Sequence, residues 1–159
     1  MPNLTHLDAQ GHPRMVDVGD KAVTTRTARA ACRITMDPAL IASFANGDLH
    51  TKKGSVVQTA TVAGIMAVKQ TSALIPMCHP LPLDHCAIDI TIHDASSLRV
   101  ECLCKVSSKT GVEMEALTGA SIAALTIYDM CKSADPNMII SELQVIQKTG
   151  GKTDLGPKP

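Results

Sequence analysis

The fold is decided by the stretch Cys86-Ala-Ile-Asp-Ile-Thr-Ile-His-Asp-Ala-Ser-Ser-Leu-Arg-Val-Glu-Cys-Leu-Cys104. Cys86, Ile88, Ile90 and Ile92 alternate with other residues, and Leu98, Val100, Cys102 and Cys104 repeat the pattern. Successive side chains on a strand point to opposite faces, so this period of two marks two strands, each with one apolar face. Asp94-Ala-Ser-Ser97 between them has the composition of a hairpin turn.

Working outward towards the N-terminus, Ile75-Pro76 and His79-Pro80-Leu81-Pro82 exclude helix and predict an extended, irregular passage. Before it, Val56, Val57, Ala60, Ala63, Gly64, Ala67 and Val68 recur at three and four, which predicts a helix over 54–70. Its small residues allow close approach by another helix or by a sheet. Asp37-Pro38 opens a short helix that should stop near Asn46-Gly47. Alternation of Ala28, Ala30, Cys32 and Ile34 predicts a strand over Arg26–Thr35.

Towards the C-terminus, Thr110-Gly-Val-Glu113 matches a capping box and opens an apolar helix running to about Ser133. Asp135-Pro-Asn137 breaks that helix, and Met138–Gln147 reads as a last strand. The order strand, helix, strand, strand, helix, strand predicts an α+β ferredoxin-like split βαβ sandwich: an antiparallel sheet with helices packed on one face. Residues 1–25 are expected to be a flexible N-terminal arm, 26–149 a single ferredoxin-like catalytic domain, and 150–159 a flexible tail. The polar cluster Asp17, Asp20, Lys21 and Arg26 suits either a solvated tail or a lid over a site.

The 159 residues carry 45% hydrophobic and 19% charged side chains, a balance that excludes a disordered chain. Phe44 and Tyr128 are the sole aromatics, so nucleic acid recognised by base stacking is not expected as a partner. Fifteen basic residues balance fifteen acidic ones, and net charge therefore predicts no polyanionic partner. Lys52, Lys53, Lys69, Lys105, Lys109, Lys132, Lys148 and Lys152 punctuate the most polar segments. That spacing suits a small anion held locally, and it equally suits lysines scattered for solubility. The six cysteines include no C-x-x-C pair and lie mostly in apolar runs, which predicts reduced thiols in a reducing compartment. Cys102 and Cys104 share a strand face, but two thiols alone do not make a zinc site. No signal peptide or membrane-spanning run is read, so no membrane partner is expected and the chain is placed in the cytoplasm.

Three constellations offer chemistry. Met77-Cys78-His79-Pro80 holds a histidine in a rigid turn, where loop residues on a scaffold often act. Glu113-Met114-Glu115 begins the long helix, where capping and the helix dipole already explain Glu113 and explain Glu115 less well. Asp129 and Lys132, three residues apart, can pair on one helix face. A plain surface ion pair is the default reading, while the apolar neighbours Ile127, Tyr128, Met130 and Cys131 leave open a desolvated pair suited to proton transfer. Glu115 and Asp129 lie roughly 21 Å apart along an ideal helix, offset by about 40°. They cannot meet on one small molecule from a single helix. A helix so apolar on most sides also needs more cover than one sheet provides, and both arguments favour an oligomer.

Met15-Val-Asp-Val-Gly19, Lys53-Gly54, Ala63-Gly-Ile-Met-Ala67, Leu74-Ile-Pro-Met-Cys-His-Pro80, Lys109-Thr-Gly-Val-Glu-Met-Glu-Ala-Leu117 and Ala124-Leu-Thr-Ile-Tyr-Asp-Met-Cys-Lys132 resemble the cyclic pyranopterin monophosphate synthases. This is the molybdenum-cofactor biosynthesis protein C family, and Lys148-Thr-Gly-Gly-Lys152 resembles its C-terminal motif. The motifs span nearly the whole chain in collinear order. Met77 stands where leucine is usual, a volume-conserving swap, and Thr153-Asp154 replaces the common Ser-Gly.

The resemblance implies a ferredoxin-like lyase that assembles as a hexamer, a trimer of dimers, with sites between subunits. Its substrate would be 3′,8-cyclo-7,8-dihydroguanosine 5′-triphosphate, rearranged to cyclic pyranopterin monophosphate with release of pyrophosphate. Asp129, Lys132 and Lys53 become the catalytic candidates. Met77, Cys78, His79, Glu113, Met114 and Glu115 become substrate-binding candidates, with Arg26, Lys69 and Lys148 as phosphate contacts. No cofactor and no protein-held metal is expected, although Mg2+ can accompany the triphosphate. Two competing readings stand beside this one: a catalytically silent nucleotide-binding regulatory oligomer, and a metal-dependent hydrolase using His79, which lacks H-x-x-x-H spacing.

Overall fold

The computed structural model describes residues 7–8, 10–44 and 46–157. In chain order the elements are β1 (Thr24–Thr35), α1 (Pro38–Ala42), β2 (His50–Thr51), β3 (Gly54–Ser55), α2 (Val56–Lys69), α3 (Thr71–Leu74), β4 (His85–Asp94), β5 (Ser97–Ser108), α4 (Glu113–Cys131) and β6 (Ile139–Thr149). The main sheet runs β4-β5-β1-β6 and every neighbouring pair is antiparallel. Helices α2 and α4 cover one face, giving the α+β ferredoxin-like arrangement expected from the alternation.

The β4–β5 hairpin sets Cys86 opposite Cys104, Ile88 opposite Cys102 and Ile90 opposite Val100. On β5, Leu98, Val100, Cys102, Cys104 and Val106 are all buried, as are Ala28, Ala30, Cys32 and Ile34 on β1. These period-two faces meet the stripe Ala116, Ala120, Ala123, Ala124 and Ile127 of α4. With little aromatic volume, the layers close by approaching each other. A Cβ at Gly119 would lie 2.6 Å from both the Cys102 Sγ and Val68 Cγ2, and one at Gly64 only 2.8 Å from Ile88 Cδ1.

Three details depart from the sequence reading. Helix α1 ends at Ala42, before the positive-φ pair Asn46 and Gly47, because Ser43 already closes it by bonding back to Leu40 and Ile41. The two-residue strands β2 and β3 form a small ribbon that presents Lys52 and Lys53 in its turn. The capping box does not form. Val112 occupies the N-cap of α4 without a side-chain bond, while Glu113 turns to Lys148 on β6.

Candidate active site

Both ends of α4 gather ionisable side chains. At its N-terminus, a cavity of about 260 Å³ is lined by Met77, Cys78, His79, Glu113, Met114 and Glu115, together with Thr110 and Gly111. The proline-rich passage after α3 brings Met77–His79 here because it cannot continue as helix. Val16, Val18 and Lys21 form the opposite wall, and Lys109 Nζ donates to the Gly19 carbonyl. Residues 16–21 thus lie against the cavity. Their signals in the sequence were the motif around Met15–Gly19 and the polar cluster Asp17, Asp20 and Lys21.

Glu115 is 4% exposed. Burial raises its pKa, its own backbone N–H opposes that shift, and the Glu113 charge adds to it. A carboxyl biased towards its neutral form near a cavity is equipped to give or take a proton. Cys78 is pushed up as well, first by desolvation and then by Glu115. Glu113 accepts from Lys148 Nζ at 3.2 Å, and its carboxylate folds back over Gly111, where a Cβ would collide with Oε2. Arg26 stands on the far side of Gly111, in a small cleft shared with Glu113 and Lys148, and its Nε donates to the Ser108 carbonyl at 3.1 Å. Arg26 and Lys148 therefore line a separate cleft, which shares Gly111 and Glu113 with the cavity. Lys69 does not reach it. It lines a neighbouring cavity of about 380 Å³ with Ile65, Leu81, Leu83, Asp84, His85 and Cys86.

At the other end of α4, Asp129 accepts from Lys132 Nζ at 2.7 Å and from Lys53 Nζ at 2.9 Å. The Lys132 contact is the pair foreseen from the spacing; Lys53 comes from the β2–β3 turn. Hydrogen bonds from Lys132 and then Lys53 hold the Asp129 carboxyl at a pKa of about 2, and the Lys132 ammonium is strengthened by Asp129 in return. Of the two readings of this pair, the single chain shows the surface one, since all three side chains are more than half exposed. The reason is helical phase: Ile127, Met130 and Cys131 turn inward and leave Asp129 on the outer face. Lys52 and Lys53 border a third cavity, of about 450 Å³, with Leu40, Leu49, Met130 and Cys131.

The chain is thus an α+β sandwich with a buried carboxyl at one end of a central helix and a lysine–carboxylate–lysine cluster at the other, groups whose chemistry is that of proton transfer and anion binding. The model of the MoaC family matches residues 15–151. A protein from Xanthomonas axonopodis pv. citri (strain 306), named cyclic pyranopterin monophosphate synthase, is 51% identical over 96% of this chain and 93% of its own. One of the same name from Chloroflexus aurantiacus (strain ATCC 29366 / DSM 635 / J-10-fl) is 52% identical over 98% of this chain and 95% of its own. The chain belongs to the MoaC family.

Proposed function

We propose that this chain is a cyclic pyranopterin monophosphate synthase of molybdenum-cofactor biosynthesis. It converts 3′,8-cyclo-7,8-dihydroguanosine 5′-triphosphate to cyclic pyranopterin monophosphate and releases pyrophosphate. The observation that carries this reading is Asp129 clamped between Lys53 and Lys132, in a chain whose near-full-length relatives bear that name. Pyrophosphate departure places negative charge on phosphate oxygens, and ammonium donors fixed in advance stabilise it most effectively. With its pKa near 2, Asp129 is a weak base in the free chain. Its role there is to hold the two lysines, while Glu115, with its raised pKa, suits proton transfer during ring rearrangement.

Glu115 and Asp129 are separated by roughly 21 Å of continuous helix, so a site using both draws on two subunits. The exposed side chains Val62, Met66 and Leu125 on α2 and α4 support such an assembly, which we take to be a hexamer. The substrate carries its own Mg2+ where one is needed, and turnover uses no resident cofactor. No helix of the described residues is long and apolar enough to cross a membrane. All six cysteines are free thiols, which supports placement in the cytoplasm.

Purified protein supplied with the cyclised triphosphate should release pyrophosphate and form the cyclic monophosphate. Absence of product with authentic substrate and a folded assembly would overturn the reading. Tight substrate binding without turnover would point instead to a silent nucleotide binder.

A further inference from the structure

We propose that Cys86, Cys102 and Cys104 form a three-thiolate site for a thiophilic cation of the zinc and cadmium type. The three Sγ atoms lie within 4.8 Å of one another. Those of Cys102 and Cys104 are 3.7 Å apart. Thiolates around zinc sit at about 2.3 Å, which places two sulfurs of a tetrahedral site ~3.8 Å apart. Cys86, the one half-buried member, lies within 4.8 Å of both other sulfurs.

The β4–β5 pairing builds this arrangement into the sheet. Cys102 and Cys104 are two apart on β5 and share its inner face. Cys86 on β4 is the register partner of Cys104. Both β5 thiols are fully buried, and Cys102 lies against Gly119 of α4. The cluster therefore opens on the Cys86 side alone, towards the cavity that also holds Lys69, Asp84 and His85. An open fourth position facing a polar cavity leaves room for water or a cavity side chain.

Charge is consistent with the assignment. Binding a divalent cation expels the three S–H protons and leaves a complex of net charge −1. Lys69 lines the adjoining cavity beside Cys86 and can offset that charge, with Asp84 and His85 in the same lining. Soft thiolate donors select zinc-type and cuprous ions over magnesium or calcium, so this site would not compete for the ion on a triphosphate. The proposal is independent of the synthase reading.

The test uses the full chain, reduced with a phosphine, stripped of metal by a chelator and titrated with Cd2+. One equivalent should bind, with a thiolate-to-cadmium charge-transfer band of three sulfurs. Cys86→Ala should weaken binding by ~100-fold or more, whereas Cys78→Ala should bind as the parent does. Replacing Cys102 opens the core, so the half-buried Cys86 carries the decisive comparison, with circular dichroism checking that the variant is folded. Failure to bind, a band of fewer than three thiolates, or unchanged affinity in Cys86→Ala would overturn the proposal and leave the cluster as core packing.

Discussion

The Nζ of Lys53 lies 2.9 Å from Oδ2 of Asp129, across 76 positions of sequence. The ribbon turn is thereby fastened to the last turn of α4, and Lys132 occupies the other carboxylate oxygen. If these lysines stabilise charge on the departing pyrophosphate, Lys53→Ala should lower kcat by about 100- to 1000-fold. Asp129→Ala should do comparable damage by releasing both ammonium groups. All three side chains are well exposed in the single chain, so neither change should unfold it. Single-turnover assays alongside sedimentation would check this, and near-normal turnover in either variant would refute the assignment.

Glu115 makes stability depend on pH in a stated direction. Its folded pKa is raised above the ordinary 4.5, chiefly by burial. The folded state therefore holds the proton more tightly than the unfolded one. That contribution is complete below about pH 4.5 and is lost as pH rises through the folded value. Glu115→Gln, which cannot ionise, should be more stable than the parent at neutral pH. The gap should close as the solution is acidified. Each tenfold difference in proton affinity between the two states is worth about 1.4 kcal/mol. Urea titrations at several pH values would measure the gap, and a difference independent of pH would rule the account out.

Much of this was legible in the sequence. The alternation of Ile88 and Ile90 against Val100, Cys102 and Cys104 marks the faces of β4 and β5 that turn towards the helices, whereas Ile92, at the edge-strand end of the same pattern, is exposed. The Asp129–Lys132 pair is local, and three-residue spacing on a helix suffices to foresee it. Lys53 was reached through the family motif alone, because two-residue strands such as β2 and β3 have no period to read. Glu113 looked like a cap because its true partner, Lys148, stands 35 positions away on another strand. The apolar neighbours of Asp129 suggested burial, but adjacent helical residues face different ways, and adjacency in sequence is a poor guide to environment. Cys86 joins Cys102 and Cys104 only once the hairpin register is known.

The small-residue stripe yields a stability prediction. At Gly119 an added Cβ would press on the Cys102 sulfur and the Val68 methyl at 2.6 Å, both fully buried and without room to retreat. Replacing glycine by alanine gains up to about 1 kcal/mol in helix propensity. Overpacking a close-fitted core costs about 1–3 kcal/mol. The clash should win, so Gly119→Ala is expected to destabilise the protein by about 1–2 kcal/mol. Chemical denaturation measures this directly, and a stabilised variant would mean that α2 and α4 separate more readily than their packing implies.

The length of α4 makes the proposal of a site shared between subunits testable by mixing variants. Glu115 and Asp129 belong to one helix of 19 residues and stand roughly 21 Å apart along it. A site that needs both must take Glu115 from one subunit and Asp129 from another. Glu115→Gln and Asp129→Ala should each inactivate homogeneous assemblies. Mixed assemblies, made by refolding the two variants together, would contain some sites with a parental residue from each side. Random mixing in equal amounts gives about a quarter of the sites both residues, so about a quarter of parental activity should return. Sites lying wholly within one subunit would recover nothing on mixing. That outcome would separate the two ends of α4 into unrelated functions and remove the argument for a site completed between subunits.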